Sequence, residues 1–121
     1  MKFADICFIT DDVLRLSAFY ESILGGKAEG DESHATMNMD GIGLTFLSQK
    51  NPAFYYDLTN NAGNVILSFN VDDVDFQYNR LLSLGVEMVN EPTTHPWGAR
   101  SFQFKDPDGN IINFRSIPKG N

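Results

Sequence analysis

The sequence predicts an α+β protein built from two similar β-α-β-β-β modules, and an internal repeat is the first observation behind this prediction. Residues 8–13 and 69–74, which are 61 positions apart, are identical at four of their six positions. Each segment ends a stretch of alternating apolar residues, as in a β-strand, and is followed by a helical pattern. A length of 121 residues fits one domain, 1–121. Module one would then take 1–50, a linker 51–64 and module two 65–121.

The two predicted helices carry one apolar stripe each, at a period of 3.6 residues. Two consecutive aspartates precede each helix, where they supply N-caps and favourable negative charge. Gly25 and Gly85 end the helices. The stripes consist of Val13, Leu16, Phe19, Tyr20 and Ile23 in the first helix, and of Val74, Tyr78, Leu81 and Leu82 in the second.

Short strand-like segments follow each helix and complete the modules. The residues Asp106-Pro107-Asp108-Gly109 are typical of a type I turn between two strands, because Asp, Pro and Gly stand at its first, second and fourth positions. The predicted strands are 27–29, 35–40 and 43–48 in module one, and 87–90, 99–105 and 111–116 in module two.

The linker contains three adjacent aromatic residues, Phe54, Tyr55 and Tyr56. Two interpretations are open. These side chains seal the join between the modules, or they form a lid over a ligand, since long loops that pack their own side chains are often functional. The second interpretation makes Tyr56 a candidate ligand-binding residue.

Charge and composition disfavour several classes of partner. Sixteen acidic and nine basic side chains give a net charge of −7, so we expect neither nucleic acid nor a membrane surface as a partner. No apolar run is long enough to span a membrane, and the first residues do not resemble a signal peptide. The single cysteine, Cys7, lies in an apolar run, which is more typical of a small core residue than of a nucleophile. Together these features predict a cytoplasmic protein.

The most specific stretch of the chain is His95-Pro96-Trp97-Gly98-Ala99-Arg100, followed by Phe-Lys-Asp-Pro-Asp-Gly-Asn at 104–110. With the two modules and the Phe19-Tyr20 and Leu24-Gly25 pairs of the first helix, it resembles the vicinal oxygen chelate superfamily. That superfamily includes glyoxalase I, extradiol dioxygenases, fosfomycin-resistance enzymes and bleomycin-resistance proteins. The resemblance covers nearly the whole chain and implies that each module bends its sheet into a half-open cup, with two cups forming a cleft.

In the enzymes of this superfamily the cleft holds a divalent metal ion, whose ligands come from the first and last strand of each module. The matching positions here are Asp5, Thr45, Ile66 and Asn113. A transition-metal site needs about three or four His, Cys or carboxylate ligands, and Asp5 alone is of that kind. We therefore expect no metal and no cofactor.

Strand alternation predicts which residues share a face with these four. The resulting lining suits an organic ligand better than a phosphate or a metal ion. It consists of Cys7, Ile9, Gly43, Leu47, Ser68, Asn70, Ile111 and Arg115.

Three further residues have alternative roles. Trp97, the only tryptophan, is a stacking surface for a planar ligand or a hydrophobic plug under its loop. Arg100 pairs with a ligand carboxylate or forms an internal salt bridge. Asp5 binds a cationic group of a ligand, acts as a base, or bonds to the backbone. The histidines, His34 and His95, stand at no ligand position, so we expect surface or hydrogen-bonding roles for them.

We expect a metal-free protein that binds a bulky cationic or aromatic antibiotic or metabolite, because the metal ligands are missing and a negative charge favours encounter with a cation. The bleomycin-resistance branch, which the chain resembles in this respect, consists of homodimers that bind a drug without changing it. Two alternatives remain. One is a metal-dependent lyase, isomerase or dioxygenase-type enzyme with an atypical site; the other is a non-catalytic interaction module. We expect a homodimer in each case.

Overall fold

The computed structural model describes residues 1–50 and 65–117, and the chain divides inside the predicted linker. The two compact units are Met1–Asn61, unit 1, and Ala62–Asn121, unit 2. Tyr56 and its aromatic neighbours lie outside the described residues, so the lid stays a prediction.

The elements follow the predicted order, and the α+β class with two mixed sheets is confirmed. They are β1 (Asp5–Thr10), α1 (Val13–Leu24), β2 (Glu29–Gly30), β3 (His34–Met39), β4 (Ile42–Ser48), β5 (Ile66–Asn70), α2 (Val74–Ser83), β6 (Glu87–Met88), β7 (Thr93–Thr94), β8 (Arg100–Lys105) and β9 (Ile111–Ser116).

Both helices begin and end where local chemistry predicts. The Asp12 and Asp73 carboxylates accept the backbone N–H groups of Arg15 and Phe76, each at 3.0 Å. Such bonds satisfy donors that a helix start leaves unpaired. Gly25, at φ 81°, takes the left-handed conformation that ends α1.

Unit 1 has a four-stranded sheet in the order β1-β4-β3-β2, with β1 and β4 parallel. α1 packs on one face of this sheet. There Tyr20 lies between Phe8 and Phe46, with ring centroids 5.2 and 5.4 Å away. These apolar side chains point to the helix, so alternation turns Asp5, Cys7 and their neighbours to the opposite face.

Unit 2 has a sheet in the order β5-β9-β8-β6, with β7 also paired to β8. Phe102, Phe104 and Phe114 are buried on the face toward α2, where the Tyr78 ring meets Phe102 at a centroid distance of 5.2 Å. The aromatic residues of the sequence therefore supply much of the core in both units.

Three expectations are wrong in detail. β7 was not expected, because two threonines after a proline give too short a pattern to predict a strand. Leu82 is 47 % exposed, since it lies at the edge of the stripe that buries Val74 and Leu81. Cys7 is exposed rather than part of the core, because it belongs to the strand face that has no helix. Among the described residues, no helix is long and apolar enough to cross a membrane.

Candidate functional site

Each unit has one sheet face that its own helix does not cover, and these helix-free faces carry most of the predicted site residues. In unit 1 the face is formed by Asp5, Cys7, Thr36, Thr45 and Leu47. In unit 2 it is formed by Ile66, Ser68, Asn70, Ser101, Gln103, Asn113 and Arg115.

A short hydrogen-bond chain orients the carboxylate of unit 1. Thr45 Oγ1 donates to Asp5 Oδ2 at 2.9 Å and lies 3.2 Å from Thr36 Oγ1. A carboxylate can only accept, so the single Thr45 proton goes to Asp5 and Thr36 donates to Thr45. The chain holds Asp5 in place and leaves its second oxygen available to a donor group.

Cys7 lies on the same face but is not prepared for nucleophilic chemistry. Partial burial, and then the negative charge of Asp5, raise the pKa of the Cys7 thiol above its ordinary value. The thiolate is the reactive form, and a raised pKa makes it scarce at neutral pH. Cys7 therefore contributes a small, neutral surface.

Unit 2 carries a longer chain made of neutral side chains. Asn90 donates through its side-chain NH₂ to Gln103 Oε1. Gln103 Nε2 donates to Asn113 Oδ1 at 2.6 Å, and Asn113 Nδ2 donates to Ser68 Oγ at 3.1 Å. We refer to Asn90, Gln103, Asn113 and Ser68 as the amide row.

The direction of the amide row is fixed by one backbone group. The backbone N–H of Gln103 donates to Asn90 Oδ1 at 2.8 Å. A backbone N–H cannot accept, so the Asn90 amide must turn its NH₂ toward the Gln103 side chain. Each later amide must then donate onward, which leaves Ser68 as an acceptor in the row with its own proton directed elsewhere.

A second polar row runs beside the amide row. Arg115 Nε donates to Asn70 Oδ1 at 3.0 Å, and Ser101 is the register partner of Arg115 on β8. Ser101 Oγ lies 2.8 Å from His95 Nε2. The His95 ring stacks on the Trp97 indole, with centroids 4.6 Å apart and planes within 4° of parallel.

Trp97 is therefore not a buried plug within the described part of the chain. Its side chain is 72 % exposed, with one ring face against His95. The other face is available for stacking on a planar group.

Arg100 forms the internal salt bridge that was one of its two expected roles. Its Nε and Nη2 donate to the two carboxylate oxygens of Asp75 at 2.9 and 2.8 Å, and its Nη1 donates to Thr94 Oγ1 at 3.0 Å. Hydrogen bonding to Arg100 lowers the pKa of Asp75, and the same bond raises that of Arg100. These two hydrogen bonds to Asp75 connect the first residue of β8 to α2.

Two other predicted residues present contrasting surfaces. Ile66 is 55 % exposed, so it offers apolar area for contact, whereas Leu47 is 8 % exposed and offers little.

The residues at the expected metal-ligand positions do not fit a transition-metal ion. Asp5 is a carboxylate already bonded to Thr45, and Ile66 has no lone pair. The Asn113 oxygen accepts from Gln103. Within residues 1–50 and 65–117, no group of three or more His, Cys, Asp or Glu side chains is placed to hold a metal ion.

A comparison with known proteins decides the family. The family model of the Glyoxalase/Bleomycin resistance protein/Dioxygenase superfamily matches residues 2–114. The chain belongs to this superfamily. A relative, the uncharacterized protein YraH of Bacillus subtilis (strain 168), is 30 % identical over 122 residues, which cover 93 % of this chain and 95 % of YraH.

Solved structures of the superfamily share the fold. A glyoxalase/bleomycin resistance protein/dioxygenase from Nocardioides has a TM-score of 0.81 at 21 % identity, covering 100 % of this chain and 86 % of its own. Lactoylglutathione lyase from Agrobacterium tumefaciens has a TM-score of 0.75 at 19 % identity, covering 95 % and 92 %. Identities at this level establish the superfamily fold and leave the activity open.

The sequence missed three members of the two hydrogen-bond chains. Thr36 and Gln103 lie on the middle strands β3 and β8, and alternation along these strands would have placed them on the helix-free faces. Asn90 lies beyond the end of β6, and no local pattern indicates its contact with Gln103, 13 positions away.

Proposed function

We propose that this protein binds a small organic molecule through its helix-free sheet faces, without a metal ion and without changing the ligand chemically. The ligand class is a bulky cationic or aromatic antibiotic or metabolite. One observation carries the proposal: the superfamily's four ligand positions hold a single carboxylate, and hydrogen bonds within each unit already engage the side chains of Thr45 and Asn113.

The available groups suit organic ligands. Asp5 is exposed and oriented by Thr45, so its outer oxygen can accept a charge-assisted hydrogen bond from an ammonium or amidinium group. Trp97 offers an exposed indole face, and aromatic stacking adds to the burial of apolar area.

The first test measures metal content. Protein purified without chelator should contain far less than one equivalent of any transition metal by mass spectrometry. Added Ni²⁺, Zn²⁺, Mn²⁺ and Fe²⁺ should leave the melting temperature unchanged. A stoichiometric metal with a large thermal shift would overturn the proposal and favour an enzyme of the same superfamily.

The second test measures ligand binding directly. The probes are 2-naphthylmethylammonium, 2-naphthoate and 2-naphthamide, which share one ring and differ in charge. We expect saturable binding of at least one probe, seen by calorimetry and by the fluorescence of Trp97, the only tryptophan. Absence of binding by all three at about millimolar concentration would contradict the proposal.

The proposal includes a homodimer in the cytoplasm. β1 and β5 lie at the edges of their own sheets, and exposed strand edges in natural proteins are usually covered or blocked. Sedimentation equilibrium should give twice the chain mass of 13.5 kDa; a monomer at all concentrations would contradict this part.

A further inference from the structure

The strands of unit 2 that form the helix-free face carry basic side chains and no acidic ones. β5, β8 and β9 contain no Asp or Glu, although the chain has 16 acidic residues. Their charged residues are Arg100, Lys105 and Arg115. The first two form ion pairs with acidic side chains of the same unit. Among the described residues, Arg115 has no carboxylate partner, and its guanidinium contacts the neutral amide of Asn70.

Two other donors lie next to Arg115. The Asn70 oxygen accepts from Arg115, so its NH₂ group faces away from the guanidinium. Ser68 accepts from Asn113, so its hydroxyl proton is directed out of the amide row. Ser68 and Asn70 are alternate residues of β5, about 7 Å apart on one face, and Asn70 is the register partner of Arg115.

The three groups together form a site that donates hydrogen bonds. The Asn113 oxygen accepts a hydrogen bond within the amide row, and the Asn70 oxygen accepts one from Arg115, so both amides turn their NH₂ groups away from these partners. A positive guanidinium with two neutral donors suits an anion, and the planar fork of arginine matches a carboxylate in particular.

An aromatic surface adjoins this site. Ser101 is the register partner of Arg115 on the neighbouring strand, β8. Its Oγ lies 2.8 Å from His95 Nε2, and the His95 ring stacks on Trp97. A ligand held by Arg115 would therefore meet aromatic side chains along the same row.

We propose that the helix-free face of unit 2 binds an aromatic carboxylate, with Ser68, Asn70 and Arg115 holding the carboxylate and the stacked pair of His95 and Trp97 contacting the ring. This inference rests on the proposed metal-free binding of a small molecule and specifies the ligand class. Asn113 and Gln103 are positioning residues, because they act by directing the Ser68 proton.

The test compares two charge-removing variants. Arg115→Gln removes the proposed anion-binding charge, and Lys27→Gln removes an exposed positive charge from unit 1. In the unmodified protein, 2-naphthoate should bind about tenfold or more tightly than 2-naphthamide. Arg115→Gln should abolish this preference, and Lys27→Gln should preserve it.

A second variant guards against a folding defect. Ser68→Ala removes only a hydroxyl from an exposed position and should weaken 2-naphthoate binding about threefold to tenfold, with an unchanged circular dichroism spectrum. Equal affinities for 2-naphthoate and 2-naphthamide, or equal effects of Arg115→Gln and Lys27→Gln, would overturn the inference.

The outcomes also separate this inference from the proposed function. Binding of 2-naphthamide or 2-naphthylmethylammonium without a preference for 2-naphthoate would reject the carboxylate site and retain the small-molecule function. Failure of all three probes would reject both.

Discussion

The two helix-free faces share a backbone plan and differ in chemistry. In unit 1, strands β1, β3 and β4 contain one charged residue, the acid Asp5. In unit 2, the charged residues of β5, β8 and β9 are all basic. In unit 1 the hydroxyl groups donate toward a carboxylate; in unit 2 the amide groups donate toward Ser68. Repetition of a module therefore fixes where side chains stand without fixing what they bind.

The largest expected effect on stability comes from interrupting the amide row of unit 2. Gln103→Met keeps the side-chain length but removes both side-chain hydrogen bonds, leaving Asn90 and Asn113 without that partner. Because Gln103 and Asn113 are half-buried, we expect a loss of about 1–2 kcal/mol in the free energy of unfolding. Thr36→Val, which removes the hydroxyl that donates to Thr45 in unit 1, should lower the free energy of unfolding by about 0.5 kcal/mol. Urea unfolding measures both, and equal losses would show that the two chains contribute alike.

The next expected effect concerns the helix-free face of unit 1, which carries Asp5. Asp5→Asn removes the charge but keeps an oxygen that can accept from Thr45. It should weaken binding of 2-naphthylmethylammonium about fivefold to tenfold by calorimetry, since a charge-assisted hydrogen bond becomes a neutral one. Glu32→Gln, an exposed acid of the same unit, is the control, and an equal loss in both variants would mean that net charge alone attracts the cation.

Cys7 provides a pH-dependent probe of the same face. Because its folded pKa is raised above 9.0, mainly by burial, alkylation by iodoacetamide should be slow at neutral pH and should rise only at a more alkaline pH. The raised pKa also means that Cys7 stabilises the fold below its unfolded pKa, and that this contribution disappears as the pH rises through the folded pKa. Asp5→Asn should lower the pH of half-maximal alkylation in part. A rate profile equal to that of a free thiol would contradict the raised pKa of Cys7.

The smallest effect concerns the fork between Arg100 and Asp75. Asp75 is exposed and Arg100 is half-exposed, so solvent screens the pair and its contribution is small. Since the pKa of Asp75 is lowered, the contribution is present at neutral pH and disappears as the pH falls through that folded pKa. A double-mutant cycle of Asp75→Asn and Arg100→Gln should give a small coupling at pH 7 and none in strong acid. A coupling that persists in acid would exclude the ion pair as its source.

Local patterns explain what the sequence predicts well. Helix stripes, paired aspartates and glycines are short-range signals, so α1 and α2 appear at the predicted places. Alternation is equally local and correctly turns Cys7 and Phe8 to opposite faces. The two-residue strand β7 carries too little pattern to be detected, which is why it was missed.

Contacts between residues far apart in the sequence could not be predicted from local patterns. Arg100 and Asp75 are 25 positions apart; the excess of acidic residues favoured an internal salt bridge over a ligand carboxylate, but the sequence could not name the partner. The amide row joins four elements or loops, and its direction depends on one backbone N–H. Such a network can be seen only when the strands are paired in register.

The amide row has a consequence for how unit 2 would respond to its surroundings. None of its four side chains gains or loses a proton between strongly acidic and strongly basic solution. The amide row therefore gives no pH-dependent change in the direction in which the Ser68 proton points. A carboxylic acid that binds this face brings its own ionisation to the complex, and the amide row adds none to it.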